Sequence, residues 1–297
     1  MSIVINTPNG NIGRKLALAL LDAGEAVTVI SRDPAKAAAL AERGARVVAG
    51  SIDDEATLRA AFAGGEALFW LNPPNLVPGF FEKAKLDAER AARLAKAAGL
   101  SRVVILSSVG AQSGPGVGPV SSLGPIEAAF EAALPHVVSL RAGFFMENFL
   151  HDLGTIADMG MVFSPANGDV PVPLVATADI ADRASSLLRD RTWQGHQKLG
   201  VHGPRDVTFR EAARIVGQAL ERPAEFVQVS PEQALAGMLQ AGMPEYVAGL
   251  YVEMYGAMNE GRMKPSEPRD AASTTPTELA EFARTVLRPA LQRLSAG

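Results

Sequence analysis

The chain has 297 residues and a formal net charge of −4, and its basic residues are scattered rather than striped, which leaves a nucleic-acid backbone no electrostatic footprint. It contains no cysteine, so disulfides, zinc–thiolate centres, iron–sulfur clusters and a thiol nucleophile are excluded together. A chain of this length buries about three quarters of its unfolded surface, enough for one large α/β domain or a domain with an appended lobe.

The first residues read directly as a core strand, Ile3 to Asn6. No basic leader precedes it and no later apolar run has membrane-spanning length, so the expectation is a cytoplasmic protein without membrane contact. The strand runs through VINTPNGNIG, Val4 to Gly13, into an amphipathic helix predicted over Asn11 to Ala23. Strand, turn and helix N-terminus in that order form a cradle for phosphate. Gly10 and Gly13 take the places of the second and third glycines of a dinucleotide loop, one letting backbone approach a pyrophosphate and the other letting the helix pack on its strand. Thr7 stands where the first glycine belongs and Pro8 has no N–H to give, so the turn must use a conformation other than positive φ. An ordinary glycine-containing turn is the competing reading of this segment alone.

A second strand is predicted over Ala26 to Ile30, and the residues after it stand where a Rossmann unit reads the adenosine ribose. Here they are Ser31 and Arg32, with Lys36 one helical turn on, a hydroxyl and two cations suited to a 2′-phosphate. NADP(H) is favoured over NAD(H). Asp33-Pro34 reads as an N-cap with proline at the first position of a helix running to Arg43. For Arg32 the competing reading is a solvated surface arginine.

Strands at Arg46 to Val48, Ala67 to Leu71, Val103 to Leu106 and Val137 to Leu140 alternate with helices at Glu55 to Phe62 and Gly79 to Ala98. The pattern predicts an α/β fold, a doubly wound parallel sheet of Rossmann type with ligand at the carboxyl ends of the strands. The Gly-Pro-rich stretch Gln112 to Pro119 would loop over that site. After Arg141 methionine, proline and glycine become more frequent, which predicts a smaller, mostly helical lobe. The expected division is a dinucleotide-binding domain over residues 1–150 and a substrate lobe over 151–297, interleaved with it. Strand-like pieces lie at Val170 to Pro173, Lys198 to Val201 and Glu225 to Val229. Helix starts are signalled at Thr208, Ser230 and Thr275 by an acid or amide three residues on, and Glu267 to Thr275 is a second loop.

In order, VINTPNGNIGR, VISRDPAKAAAL, VAGSIDDEATLRAAFAG, ALFWLNPP, SRVVILSSVGA, LRAGFFMENFL, ATADIADRASSLL and TPTELAEFAR resemble the NmrA-like family, an atypical branch of the short-chain dehydrogenase/reductases. That resemblance covers nearly the whole chain. It implies an NAD(P)-binding Rossmann domain with a small lobe closing a substrate cleft, in quinone or azo reductases and in members that only sense the dinucleotide. It further implies pyrophosphate contacts from Asn6, Thr7, Asn9, Gly10, Asn11 and Ile12, and a 2′-phosphate contact from Arg32. Asn72 and Pro73 would line the cofactor at the fourth strand, while Ser107, Ser108, Gly143, Phe144 and Phe145 would surround the nicotinamide. Ser51 stands where the family usually has a carboxylate for the adenine amino group, a role left to the Ile52 backbone or Asp53.

An alcohol dehydrogenase of this superfamily needs a Tyr-x-x-x-Lys pair after the fifth strand, the lysine lowering the tyrosine pKa. From Ala97 to Gln197 there is neither tyrosine nor lysine. What remains is hydride transfer to an acceptor protonated from water, such as a quinone or azo compound. Glu127 either orients a ligand or is a surface helix carboxylate. The Glu147-Asn148 pair either meets substrate or braces the lobe junction, and Phe144, Phe145, Met146 and Phe149 are either an aromatic floor or core. Tyr246, Tyr251, Met254 and Tyr255 fall near one helix face, over the cleft or at a dimer interface. The four histidines have no metal-ligand spacing, and no metal is assigned. Two functions stand: an NADPH-dependent oxidoreductase acting on a small planar acceptor, and a non-catalytic NADP(H)-binding redox sensor, as a monomer or homodimer.

Overall fold

In the computed structural model, which describes residues 2–296, six β-rich runs alternate with helices through residue 142. The strands are β1 (Ser2–Ile5), β2 (Val27–Ser31), β3 (Arg46–Ala49), β4 (Gly65–Trp70), β5 (Arg102–Ser108) and β6 (His136–Ala142). The helices are α1 (Asn11–Asp22), α2 (Ala38–Glu42), α3 (Glu55–Phe62), α4 (Phe80–Ala97) and α5 (Leu123–Ala133). Beyond them come β7 (Phe144–Phe145), α6 (Leu153–Met159), β8 (Met161–Ser164), β9 (Pro171–Val175), α7 (Thr177–Arg189), β10 (His196–Val201) and β11 (Asp206–Thr208). Then follow α8 (Phe209–Leu220), β12 (Glu225–Gln228), α9 (Pro231–Gln240), α10 (Glu245–Asn259), α11 (Leu279–Phe282) and α12 (Arg288–Ala296).

The main sheet is parallel throughout, in the order β10-β6-β5-β4-β1-β2-β3. Because successive side chains of a strand face opposite sides, Ile3 and Ile5 pack with Leu16 and Leu20 of α1, while Val4 packs with Leu58 and Phe62 of α3 on the other face. Both faces are therefore buried, which is why these strands read as continuous apolar runs. The strand order reverses between β1 and β4, and a crevice at their carboxyl ends is where such sheets take ligand.

The piece at Lys198 to Val201, grouped by its texture with the lobe, is instead the seventh strand of the main sheet. As β10 it pairs with β6 from His196 opposite Val137 to Val201 opposite Ala142. The helix before it, α7, buries Ile180, Ala181 and Ala184 in the same core as α1. The rest of the C-terminal half holds a three-stranded sheet, β11-β9-β7, and a parallel pair, β12 with β8. Helix α8 lays Phe209, Ala212, Val216 and Leu220 into their common core with Met146, Phe149, Leu174 and Phe226.

The helix caps divide. Ser230 makes the full reciprocal capping box with Gln233. Thr208 accepts from the Glu211 N–H at 3.1 Å, but the Glu211 side chain turns to Arg205. Thr275 starts no helix. Its hydroxyl and N–H both bond the His202 carbonyl, and α11 begins at Leu279. The predicted helix from Pro34 to Arg43 splits into a 3-10 turn over Pro34–Ala37 and α2, with Asp33 capping the turn by accepting from the Ala35 N–H at 3.1 Å. Among the described residues no helix is long and apolar enough to cross a membrane.

Candidate active site

The turn between β1 and α1 is built without left-handed backbone at Thr7, since Glu221 is the one non-glycine residue with positive φ among those described. Thr7 offers its carbonyl to the Gly10 N–H at 3.4 Å. A Cβ on Gly13 would lie 1.9 Å from that same carbonyl oxygen, so Gly13 lets the helix pack on the loop rather than on the strand. Gly10 is different. With φ −82° and ψ 169°, and Thr7 O at 3.8 Å as the nearest atom to an added Cβ, nothing within the chain requires glycine there. Its bare face is exposed at the N-terminus of α1, where no side chain caps the helix and no acid stands in the first turn. The leading N–H groups at Asn11 and Ile12 are thus left without a capping partner at the positive end of the helix.

Asn6 does not point its amide at a ligand. It donates to the Leu71 carbonyl at 2.8 Å and accepts from the Leu71 N–H at 3.0 Å, extending the β1–β4 pairing by one side chain. The Thr7 hydroxyl is shielded and has no partner, and so is Asn72 Oδ1 at the end of β4; Pro73 beside it is exposed. Asn9 donates to the Ser31 hydroxyl at 3.0 Å, locking the loop to β2.

Ser31 is buried and gives its one proton to the Asp33 carbonyl at 2.7 Å, so it has no proton to donate to a phosphate, contrary to the sequence expectation. Arg32 is exposed with no hydrogen bond or ion pair among the described residues. Lys36 is also exposed and reaches only Asp33, at 3.9 Å. Two cations therefore stand available beyond β2. After β3, Gly50 takes φ 146°, and a Cβ there would meet Thr57 Oγ1 at 2.1 Å. The Ser51 hydroxyl and the Lys83 cation hold the Asp53 carboxyl below its ordinary range. Ile52 is half-buried beside them.

At the far end of the crevice the largest correction is Glu127. Its residue is 3% exposed, and its α5 position turns it inward rather than to solvent. Oε1 accepts from Ser107 Oγ at 2.6 Å and Arg141 Nε at 3.1 Å, while Oε2 meets Arg141 Nη2 at 2.8 Å and Lys198 Nζ at 3.2 Å. Burial alone would raise this carboxyl; the Arg141 and Ser107 hydrogen bonds and the Lys198 charge outweigh it and hold the group below its ordinary value. Arg141 Nη1 then reaches Glu267 Oε1 at 2.7 Å and Ser266 Oγ at 2.9 Å, fastening the loop after α10 to the sheet. The Arg262 guanidinium on that loop donates to the carbonyls of Pro115 and Gly116, so the Gly-Pro-rich stretch is tied to it. Ser108 donates to the Val109 carbonyl at 3.0 Å. Arg141, Lys198 and Glu267 carry no local sequence signal, because their partners lie on other elements.

Gly143 is glycine because β9 passes so close that a Cβ would meet Pro173 O at 2.3 Å. Phe144 packs edge-on against Phe149 and Phe209 in the lobe core, whereas Phe145 packs with the main-sheet core; both remain half-buried. Glu147 braces the lobe junction by accepting from the Thr177 N–H at 3.0 Å and the Thr177 hydroxyl. Asn148 and Tyr246 are half-buried, and the Asn148 carbonyl accepts from the His151 N–H. The predicted face of α10 divides. Met254 packs toward Val117 and Val120, while Tyr255 joins the lobe core. Burial, with Asp152 and Tyr251 nearby, pushes the Tyr255 phenol up to about 12. Burial pushes the Asp152 carboxyl up to about 7.

The model of the NmrA-like family matches residues 1–283. An NAD(P)H azoreductase of Xenophilus azovorans is 31% identical over 257 residues, spanning 85% of this chain and 86% of that protein. A triphenylmethane reductase of Citrobacter sp., solved with NADP(H), superposes with a TM-score of 0.84 at 21% identity, covering 95% of this chain and 99% of that one. An NADPH-dependent quinone oxidoreductase of Escherichia coli, solved with NADPH, does so with a TM-score of 0.84 at 22% identity, covering 96% and 99%. At such identities the structural likeness speaks for the fold alone.

Proposed function

The chain belongs to the NmrA-like family, and from that membership we propose that it is an NADPH-dependent oxidoreductase that passes hydride to a small planar acceptor of quinone or azo type. The observation that carries this reading is the uncapped N-terminus of α1 beneath Gly10, whose glycine has no reason inside the chain and leaves open the space a diphosphate would fill. Arg32 and Lys36, exposed beyond β2, suit a 2′-phosphate. The azoreductase likeness, at 31% identity, supports the acceptor class.

In this reading the first-turn N–H groups of α1 hold the pyrophosphate and Arg32 holds the 2′-phosphate. Asn72, Pro73, Ser108 and Phe144 border the nicotinamide, and Phe145, Asn148 and Tyr246 border the acceptor. Bound NADPH supplies a hydride. The chain's own part is to orient the acceptor and exclude water, since α5 carries Glu127 and no tyrosine or lysine. Steady-state NADPH oxidation against quinones and azo dyes tests this. Tight NADPH binding with no oxidation by any acceptor would favour the sensor reading, for which the missing Tyr-Lys pair is equally natural.

A further inference from the structure

We propose that a hollow on the lobe, between α8, the residues leading into β11 and the turn after α11, is a further binding site, for a small organic anion with an apolar body. It does not depend on the cofactor and acceptor sites assigned above.

The hollow has a volume of about 320 Å³, within the range of cavities that hold small molecules. None of its walls comes from β1, β4 or the turns beyond them, so it is separate from the crevice. Val207, Ala219 and Leu279 give it an apolar floor; all three are buried in the lobe core, and Ile215 packs against them half-buried. Three guanidiniums line it, those of Arg205, Arg284 and Arg288, against one carboxylate, Glu278.

Two of the guanidiniums are held in place with donors to spare. Arg288 donates through Nε, at 2.9 Å, and Nη2 to the Ala219 carbonyl, and Nη2 also meets Glu221 Oε1 at 2.8 Å. Its Nη1 has no partner among the described residues. Arg205 is held through Nη2 alone, by Glu211 Oε1 at 2.8 Å, which leaves Nε and Nη1 open. Arg284 is exposed and has no hydrogen bond or ion pair among the described residues.

The backbone beneath Arg284 is unusual. Residues Ala283–Leu287 form a π-helical turn between α11 and α12, a rare insertion that concentrates at functional sites. It carries Arg284 four residues before Arg288, and both side chains line the same hollow. Like charges at that spacing repel one another. A carboxylate or phosphate between them relieves the repulsion and accepts the open N–H groups, since guanidinium forks suit either head group. Glu278 opposes further negative charge, so the ligand carries a single anionic head, and the floor takes its apolar body. Arg284 and Arg288 also stand beyond residue 283, where the match to the family model ends, so family membership does not supply this site.

The test titrates the full, cofactor-free chain with benzoate, phenyl phosphate and uncharged benzamide by calorimetry. At least one of the two anions should bind saturably below about 10 mM, weaken as salt rises, and outbind benzamide at least about tenfold. The tighter anion identifies the head group as carboxylate or phosphate. Arg284→Glu should abolish that binding while melting as wild type does, because the native side chain is exposed and unpartnered. Arg32→Ala should leave it unchanged, which separates this site from the cofactor crevice. No saturable binding of either anion, binding retained in Arg284→Glu, binding lost in Arg32→Ala, or equal binding of benzamide would each overturn the assignment.

Discussion

Two glycines three residues apart offer a clean separation of folding from binding. At Gly10 the backbone is ordinary extended chain and an added methyl meets nothing closer than 3.8 Å. Gly10→Ala should leave the fold intact and gain about 0.4–1 kcal/mol by restricting the unfolded chain. At Gly13 the same methyl would lie 1.9 Å from the Thr7 backbone oxygen, where no flexible side chain can give way. Helix and loop must part, a strain of about 1–3 kcal/mol. For a chain of this size that lowers Tm by about 2–4 °C per kcal/mol. Binding should run the other way at Gly10. Its methyl enters the space assigned to the pyrophosphate, and NADPH affinity should fall at least about tenfold, equivalent to roughly 1.4 kcal/mol. Thermal melts with and without NADPH, beside calorimetric titration, read both quantities. If Gly10→Ala binds NADPH like wild type, the loop is not the pyrophosphate site; if it melts as early as Gly13→Ala, the packing argument fails.

Arg32→Ala should remove the preference for NADPH over NADH in a paired calorimetric titration, because the exposed guanidinium has no other partner to serve. Purified protein should form no NADPH from NADP⁺ and secondary alcohols, since α5 has no Tyr-Lys pair; robust alcohol oxidation would show that another acid substitutes. Glu127→Gln should cost about 3 kcal/mol by leaving Arg141 and Lys198 short of a buried counter-charge. The Glu127 carboxyl is depressed when folded, so its contribution is fully present above the ordinary value of 4.5 and lost as pH falls through the folded one; the wild-type advantage in Tm should shrink along that acid limb. Glu267→Ala should speed amide exchange in residues 112–118 and 262–267 together, because Arg141 and Arg262 tie both stretches to one another; acceleration confined to one stretch would contradict the coupling.

What the sequence made legible was local. Apolar runs identified the strands, Gly10 and Gly13 marked the turn into α1, and Arg32 stood out because its position after β2 is fixed by counting. Gly13 was recognisable as a close-packing glycine, but its neighbour proved to be the Thr7 carbonyl, which depends on the path of the turn. Non-local pairing was not legible. Residues 196–201 have the same texture as the lobe strands, and nothing in their pattern says that they pair with β6. Thr275 carries the composition of a cap, yet its hydroxyl goes to His202, far back in the chain. Glu127 sits on an alanine-rich helix like any solvated carboxylate, and only the fold brings Ser107, Arg141 and Lys198 to it.

That last network bears on why the proposed chemistry departs from that of an alcohol dehydrogenase. On α5, the helix after β5 that would bear the tyrosine and lysine, the chain has an acid turned inward. Its oxygens take the Ser107 proton, so the hydroxyl is aimed at the helix and not at a carbonyl in the crevice. The positive charges it gathers are Arg141 and Lys198, and the remaining arm of the guanidinium holds Glu267 and Ser266. Where the alcohol dehydrogenase mechanism needs a tyrosine and a lysine to move a proton, this chain places a network that fastens the loop after α10.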